Sequence, residues 1–191
     1  MTKQELRKTL RAARRDHVGS LPDTVRGLVF HRPPAPMLEL VPRDAVIGLY
    51  AATGHEAPTA AYARFFFEQG HRLALPRFAS REAPMHFASH GDPFESSDLE
   101  PGPLGLLQPS ADAAEILPDV VFVPLLGFTA EGGRLGQGGG HYDRWLAAHP
   151  GTQAIGLAWD CQLLGSLPLE AHDRPLSAVV TPTRFFERTA A

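Results

Sequence analysis

VVFVPLLGFTAEGGRLGQGGGHYDRWLAAH, residues 120–149, decides how this chain folds. It opens with the unbroken apolar run VVFV, crosses a loop dense in glycine, and turns helical from His141. An apolar run without alternation is the mark of a strand covered on both faces. Working outward, similar runs occur at AVIGLY (45–50), RLAL (72–75), AIGLAW (154–159) and AVVT (178–181). Between the first two, residues 58–69 read as a helix stopped by Gly70, and helical stretches follow at 141–149 and 160–165. Strands and helices in alternation predict an α/β protein with a mainly parallel sheet covered on both faces.

The 191 residues suit one domain with one core, 1–191. Hydrophobic residues at 43% and charged residues at 20% match ordinary globular usage and exclude a disordered or fibrous chain. A net charge of −3 offers no global field for nucleic acid or an anionic membrane, so any anion site must be local. With one cysteine, Cys161, no internal disulfide can form, and a reducing cytoplasm is the expected compartment. No stretch approaches a membrane span and the first residues lack a signal-peptide run, which predicts a soluble, unprocessed protein.

Residues 1–16 form a basic amino-terminal helix in which Leu6, Leu10 and Ala13 share an apolar stripe. Beside it Lys3, Arg7, Arg11 and Arg14 form a cationic stripe. RPPAP at 32–36 reads as an extended connector, and residues 182–191 as a polar tail.

Ligands of open α/β sheets bind beyond the carboxyl ends of strands, which directs attention to the loop after VVFV. Seven of the fourteen residues from Gly127 to Gly140 are glycine. Such a run costs conformational entropy on ordering, and suits a backbone that turns its N–H groups toward a closely held anion. A helix starting near His141 would point its positive end to the same place. Arg134 and Arg144 bracket the loop, and each charge-assisted bond to phosphate contributes roughly 1.5–3 kcal/mol. Asp143, in the first helical turn, complements the dipole or serves as a Mg²⁺ ligand beside phosphate. The loop is neither GxxxxGK[ST] nor GxGxxG, HEAPT at 55–59 is not HExxH, and no GxSxG occurs. HFASH at 86–90 has the spacing of a helical metal pair but no third ligand and no helical pattern.

In their order these motifs resemble the 5-formyltetrahydrofolate cyclo-ligase (5,10-methenyltetrahydrofolate synthetase) family. The likeness rests on KxxLR at Lys3–Arg7, Glu56 after the first strand and Pro76–Arg77 after the second. It continues through DVVFVP ending at Pro124, RLGxGxGxYDR at Arg134–Arg144 and IGLA from Ile155. Gln162, LPxExHD at Leu167–Asp173 and VVT ending at Thr181 complete it. His141 stands where the family usually has the first of two tyrosines, Gln137 replaces a usual Tyr or Arg, and Gln108 replaces a glutamate.

The resemblance implies a three-layer α/β/α fold akin to the sugar-phosphate isomerases and CoA transferases. It implies ATP-dependent closure of 5-formyltetrahydrofolate to 5,10-methenyltetrahydrofolate with Mg²⁺, through phosphorylation of the formyl oxygen. Carried onto this chain, ATP falls to Lys3, Arg7, Arg134, Leu135, Gly136, Gln137, Gly138, Gly139, Gly140, His141 and Tyr142. Folate falls to Glu56 and to Gln137–His141, the metal to Asp143 and Asp173, and catalysis to Lys3, Arg134 and Asp143. The implied partner is a small molecule, with no nucleic acid or membrane, and the expected state is a monomer. Two alternatives compete: a noncatalytic nucleotide- or folate-binding module, and an isomerase of the same fold, which would leave the basic helix unexplained.

Overall fold

The computed structural model describes residues 2–170 and 173–188. The helices are α1 (Lys3–Ser20), α2 (Asp23–Leu28), α3 (Ala35–Leu38), α4 (Ala60–Glu68) and α5 (His141–Ala148), with a 3-10 turn at Asp160–Gln162. The first strands are β1 (Ile47–Gly48), β2 (Leu73–Arg77), β3 (His86–His90), β4 (Leu99–Pro101) and β5 (Leu107–Pro109). They are followed by β6 (Val120–Pro124), β7 (Gly127–Phe128), β8 (Arg134–Leu135), β9 (Gln153–Leu157), β10 (Ala178–Val180) and β11 (Phe185–Glu187).

Seven strands make the main sheet in the order β11-β10-β9-β6-β1-β2-β3. The five inner strands are parallel, and β3 and β11 close the two edges antiparallel. Side chains of a strand alternate between faces, and the inner strands place apolar residues on both. Val120 and Phe122 join Ile47, Leu49, Ile155 and Val180 in one core with Val18, Met37, Tyr62 and Phe66 of the helices. Val121 and Val123 join Val46, Ala154 and Val179 in a second core with Trp145 and Leu146 of α5. The unbroken run at 120–123 thus reflects two cores sharing one strand, in an α/β fold with helices on both faces.

Thr2 caps α1: its Oγ1 accepts from Glu5 N at 3.2 Å and its own N donates to Glu5 Oε2 at 2.8 Å. The buried row of α1 is Leu10, Arg14 and Val18, spaced by four, while Ala13 is exposed. Arg14, expected in the cationic stripe, therefore lies in the apolar row. It is 8% exposed, and Nη1 donates to Leu125 O at 3.3 Å.

Several expectations change. HFASH is strand β3, where positions four apart are separated by about 13 Å, too far to share one ion. His90 instead holds Asp98, with Nδ1 3.0 Å from both carboxylate oxygens. RPPAP ends as helix, with Pro34 the cap residue of α3. The stretch 160–165 is only a 3-10 turn at Asp160–Gln162. Residues 182–188 are not a simple polar tail, because Phe185–Glu187 form β11 against β10; residues 189–191 lie outside the described residues.

Candidate active site

β1 and β6 are neighbours, yet the chain leaves β1 toward β2 on one side and β6 toward β9 on the other. This is the topological switch point of the sheet, where the loops after two adjacent strands diverge and leave a crevice. A cleft of about 820 Å³ occupies it. Glu56 enters from the loop after β1, and Arg134 to Asp143 enter from the loop after β6.

α1 crosses this opening. Leu10 packs on Leu126 and Leu135, with Leu6 alongside, which seats the helix on the loop after β6. From that seat Lys3 Nζ bonds Asp173 Oδ2 at 2.7 Å and pairs with Glu170 at 3.2 Å. Arg7 Nε donates to Gly136 O at 3.0 Å. Arg11 donates from Nε to Gln137 Oε1 at 3.2 Å and from Nη2 to Gln137 O at 2.8 Å. Burial lowers the Lys3 ammonium, but its bonds to Asp173 and Glu170 and their charges outweigh that and raise it above 10.5. Lys3 is a cation throughout the neutral range.

Arg134 is buried, and Nη2 pairs with Asp143 Oδ1. Burial lowers its pKa, Asp143 opposes the shift, and a guanidinium stays charged regardless. Its Nε makes no hydrogen bond among the described residues, leaving a desolvated cationic donor beside the cleft. Gly138 (φ 111°) and Gly140 (φ 64°) take left-handed backbone that L side chains rarely adopt, which explains why glycine fills those two places. Arg144 does not line the cleft. It turns back, Nη2 donating to Gly139 O at 2.8 Å and lying 3.3 Å from His141 Nδ1.

The opposite wall is apolar: Phe78, Met85, Leu104 and Leu107 face the cleft with Pro76 and Pro124. His141 meets this wall edge-on at Phe78, with ring centroids 5.0 Å apart. Burial, then the Arg144 charge, lowers its pKa below 6.5, so the ring is neutral at pH 7. Removal from water, with the charge of Glu56, pushes the Tyr142 hydroxyl well up and keeps it protonated.

The residues that the resemblance assigned to ATP, folate and metal line this one cleft, namely Lys3, Arg7, Glu56, Arg134 to Asp143, and Asp173, whereas Arg11, Arg14 and Arg144 of the cationic features do not. Sequence reasoning missed the β4–β5 hairpin and what Gln108 does in it. Gln108 Oε1 accepts from Phe78 N at 3.1 Å while Nε2 donates to Phe78 O at 3.2 Å. An ionised glutamate there could only accept, whereas the Gln108 amide both accepts from and donates to the Phe78 backbone, so this departure from the family pattern fits its surroundings.

Asp143 and Asp173 could take a hard cation. Among the described residues there is no cluster of three or more His, Cys, Asp or Glu side chains for a metal. Two carboxylates beside a phosphate-type loop nevertheless suit magnesium, which takes few protein ligands and completes its shell with phosphate and water.

A sequence model of the 5-formyltetrahydrofolate cyclo-ligase family matches residues 1–182. The Escherichia coli (strain K12) 5-formyltetrahydrofolate cyclo-ligase is 45% identical over 97 residues, covering 48% of this chain and 53% of that protein. The chain thus spans about half the length of that relative. The Haemophilus influenzae 5-formyltetrahydrofolate cyclo-ligase is 31% identical over 136 residues, 68% of this chain and 72% of that one. The structure of Aquifex aeolicus 5,10-methenyltetrahydrofolate synthetase superposes with a TM-score of 0.78 at 24% identity, covering 100% of this chain and 95% of its own. A Mycoplasma pneumoniae 5,10-methenyltetrahydrofolate synthetase gives 0.70 at 19% identity, covering 99% and 100%. These two likenesses establish the fold. With the family pattern matched from residue 1 to 182, the chain belongs to the 5-formyltetrahydrofolate cyclo-ligase family.

Proposed function

We propose that the protein converts 5-formyltetrahydrofolate and ATP into 5,10-methenyltetrahydrofolate, ADP and phosphate. What carries this is the cleft itself, in which a glycine loop and three cations, Lys3, Arg7 and Arg134, face an apolar wall across one crevice. Family membership supports the same chemistry.

A formamide oxygen is a poor leaving group. Transfer of the γ-phosphoryl group to that oxygen makes it a good one; N10 of the folate then bonds to the formyl carbon and loses its proton, and the oxygen leaves as part of phosphate. Such a reaction asks the protein mainly for positioning and charge neutralisation. Lys3, and Arg7 through its terminal nitrogens, would hold the triphosphate, with the loop from Leu135 to Tyr142 around it. Arg134 would meet the charge on the transferring group, and Glu56 and Gln137–His141 would face the folate. Asp143 and Asp173 would hold Mg²⁺, which neutralises phosphate charge when bound. Within this proposal the single domain works as a cytoplasmic monomer on small molecules alone.

The test is direct. Purified protein with ATP, Mg²⁺ and 5-formyltetrahydrofolate should develop the near-ultraviolet absorbance of the methenyl product, with one ADP formed per product and no turnover after chelation of the metal. Binding of ATP and folate without turnover would favour the binding module and overturn the proposal.

A further inference from the structure

Gln137 joins three separate parts of the molecule. Its carbonyl end, Oε1, accepts from Arg11 Nε of α1 at 3.2 Å, and its amide end, Nε2, donates to Glu56 Oε1 at 3.2 Å. Arg11 Nη2 also holds the Gln137 main-chain oxygen at 2.8 Å. A primary amide has one accepting and one donating end, so a cation at Oε1 determines which end faces Glu56. Were the amide reversed, Arg11 would face an NH₂ group and the Glu56 carboxylate would face a carbonyl, two repulsive contacts in place of two bonds. The other oxygen of Glu56, Oε2, accepts from Thr53 N at 2.9 Å and Thr53 Oγ1 at 3.1 Å. The carboxylate is thereby fixed from both sides, on one side by its own loop and on the other by a residue whose polarity Arg11 sets.

We propose that Arg11 is a positioning residue for the folate end of the cleft, acting through Gln137 on Glu56. It is not among the residues that line the cleft. Its guanidinium orients the Gln137 amide, the amide orients the carboxylate, and the loop after β6 is held in register with the loop after β1. This rests on the assignment of Glu56 to folate. It also gives the Arg11–Gln137 pair a joint role: an apolar residue at 137 would keep the main-chain acceptor but supply neither the side-chain acceptor for Arg11 Nε nor the donor for Glu56.

Steady-state kinetics on the whole enzyme test it. Arg11→Ala is expected to raise KM for 5-formyltetrahydrofolate about 5–10-fold, the scale of one or two lost hydrogen bonds, with kcat and melting temperature nearly unchanged and KM for ATP moved much less. In a Glu56→Gln background the same substitution should add nothing, because the carboxylate through which it acts is gone. Gln137→Glu keeps an acceptor for Arg11 but sets a carboxylate against Glu56, so folate KM should rise at least as far as in Arg11→Ala. Independent, multiplying effects of Arg11→Ala and Glu56→Gln, or equal rises in both KM values, overturn the proposal.

A ligand-independent arm uses the side-chain amide resonances of Gln137. Slowed hydrogen exchange of that NH₂ group, lost in both Arg11→Ala and Glu56→Gln, supports the bridge; an amide indifferent to Arg11→Ala overturns it even in an active enzyme. A protected, Arg11-dependent amide in a protein without any turnover overturns the ligase assignment, and with it the folate role of Arg11, while leaving the bridge as structure.

Discussion

The two walls of the cleft are built on different principles. One is charged and tied together: Lys3 to Asp173, Arg7 to Gly136, Arg134 to Asp143. The other is apolar and held from behind, with Phe78 gripped through its backbone by Gln108 and half-exposed Leu107 at the hairpin edge. The charged wall suits a ligand whose charge is concentrated, and the apolar wall a flat ring that gains by leaving water. Under the proposed function, that contrast would let one crevice receive two dissimilar substrates.

The largest effect should come from breaking the charged wall. Arg134→Ala is expected to lower turnover by about a hundred- to a thousand-fold, as removal of an aimed charge-stabilising donor does, checked by kcat with both substrates saturating. Breaking the apolar wall at its edge should do less. Leu107→Ala raises folate KM about 3–10-fold, with ATP KM and melting temperature almost unmoved, because the side chain is already 50% exposed.

Arg14 sharpens the comparison because it is a cation belonging to neither wall. It is buried, its Nε makes no hydrogen bond among the described residues, and burial lowers its pKa. Gln162 Nε2 also donates to Leu125 O, at 2.8 Å, so that carbonyl keeps a partner without Arg14. Arg14→Met should therefore stabilise the fold by about 1–2 kcal/mol, seen as a higher melting temperature with unchanged ATP affinity.

The smallest effect lies at the seam between the walls, at His141. Its folded pKa is depressed, so the unfolded chain binds its proton first as pH falls. The stability it lends is complete above the unfolded value near 6.5, and is lost progressively as pH falls through the folded value. His141→Phe should remove this slope, seen as a smaller fall in melting temperature between pH 7 and pH 5 than in the unaltered protein.

Much of this was legible in the chain. The runs at 120–123, 154–159 and 178–181 mark inner strands because both faces of those strands are buried, and the glycines at 138 and 140 mark a left-handed turn that other residues resist. What escaped was set by tertiary context. HFASH carries no strand pattern because β3 is an edge strand with mixed burial. Arg14 sits at a four-residue spacing from Leu10 and Val18, an apolar row with a charge in it, and sequence alone assigned it to the charged row. Arg144 has the composition of a ligand-binding residue, yet its head is spent on the loop that it flanks.

If the glycine loop holds the nucleotide as proposed, the ties on it bear on how quickly that ligand settles. Gly136, Gln137 and Gly139 each have their main-chain oxygen held by an arginine of the chain itself, so the loop draws its shape from intramolecular bonds. Association then needs no slow closing step, and its rate should climb linearly with nucleotide concentration instead of levelling off at a conformational ceiling.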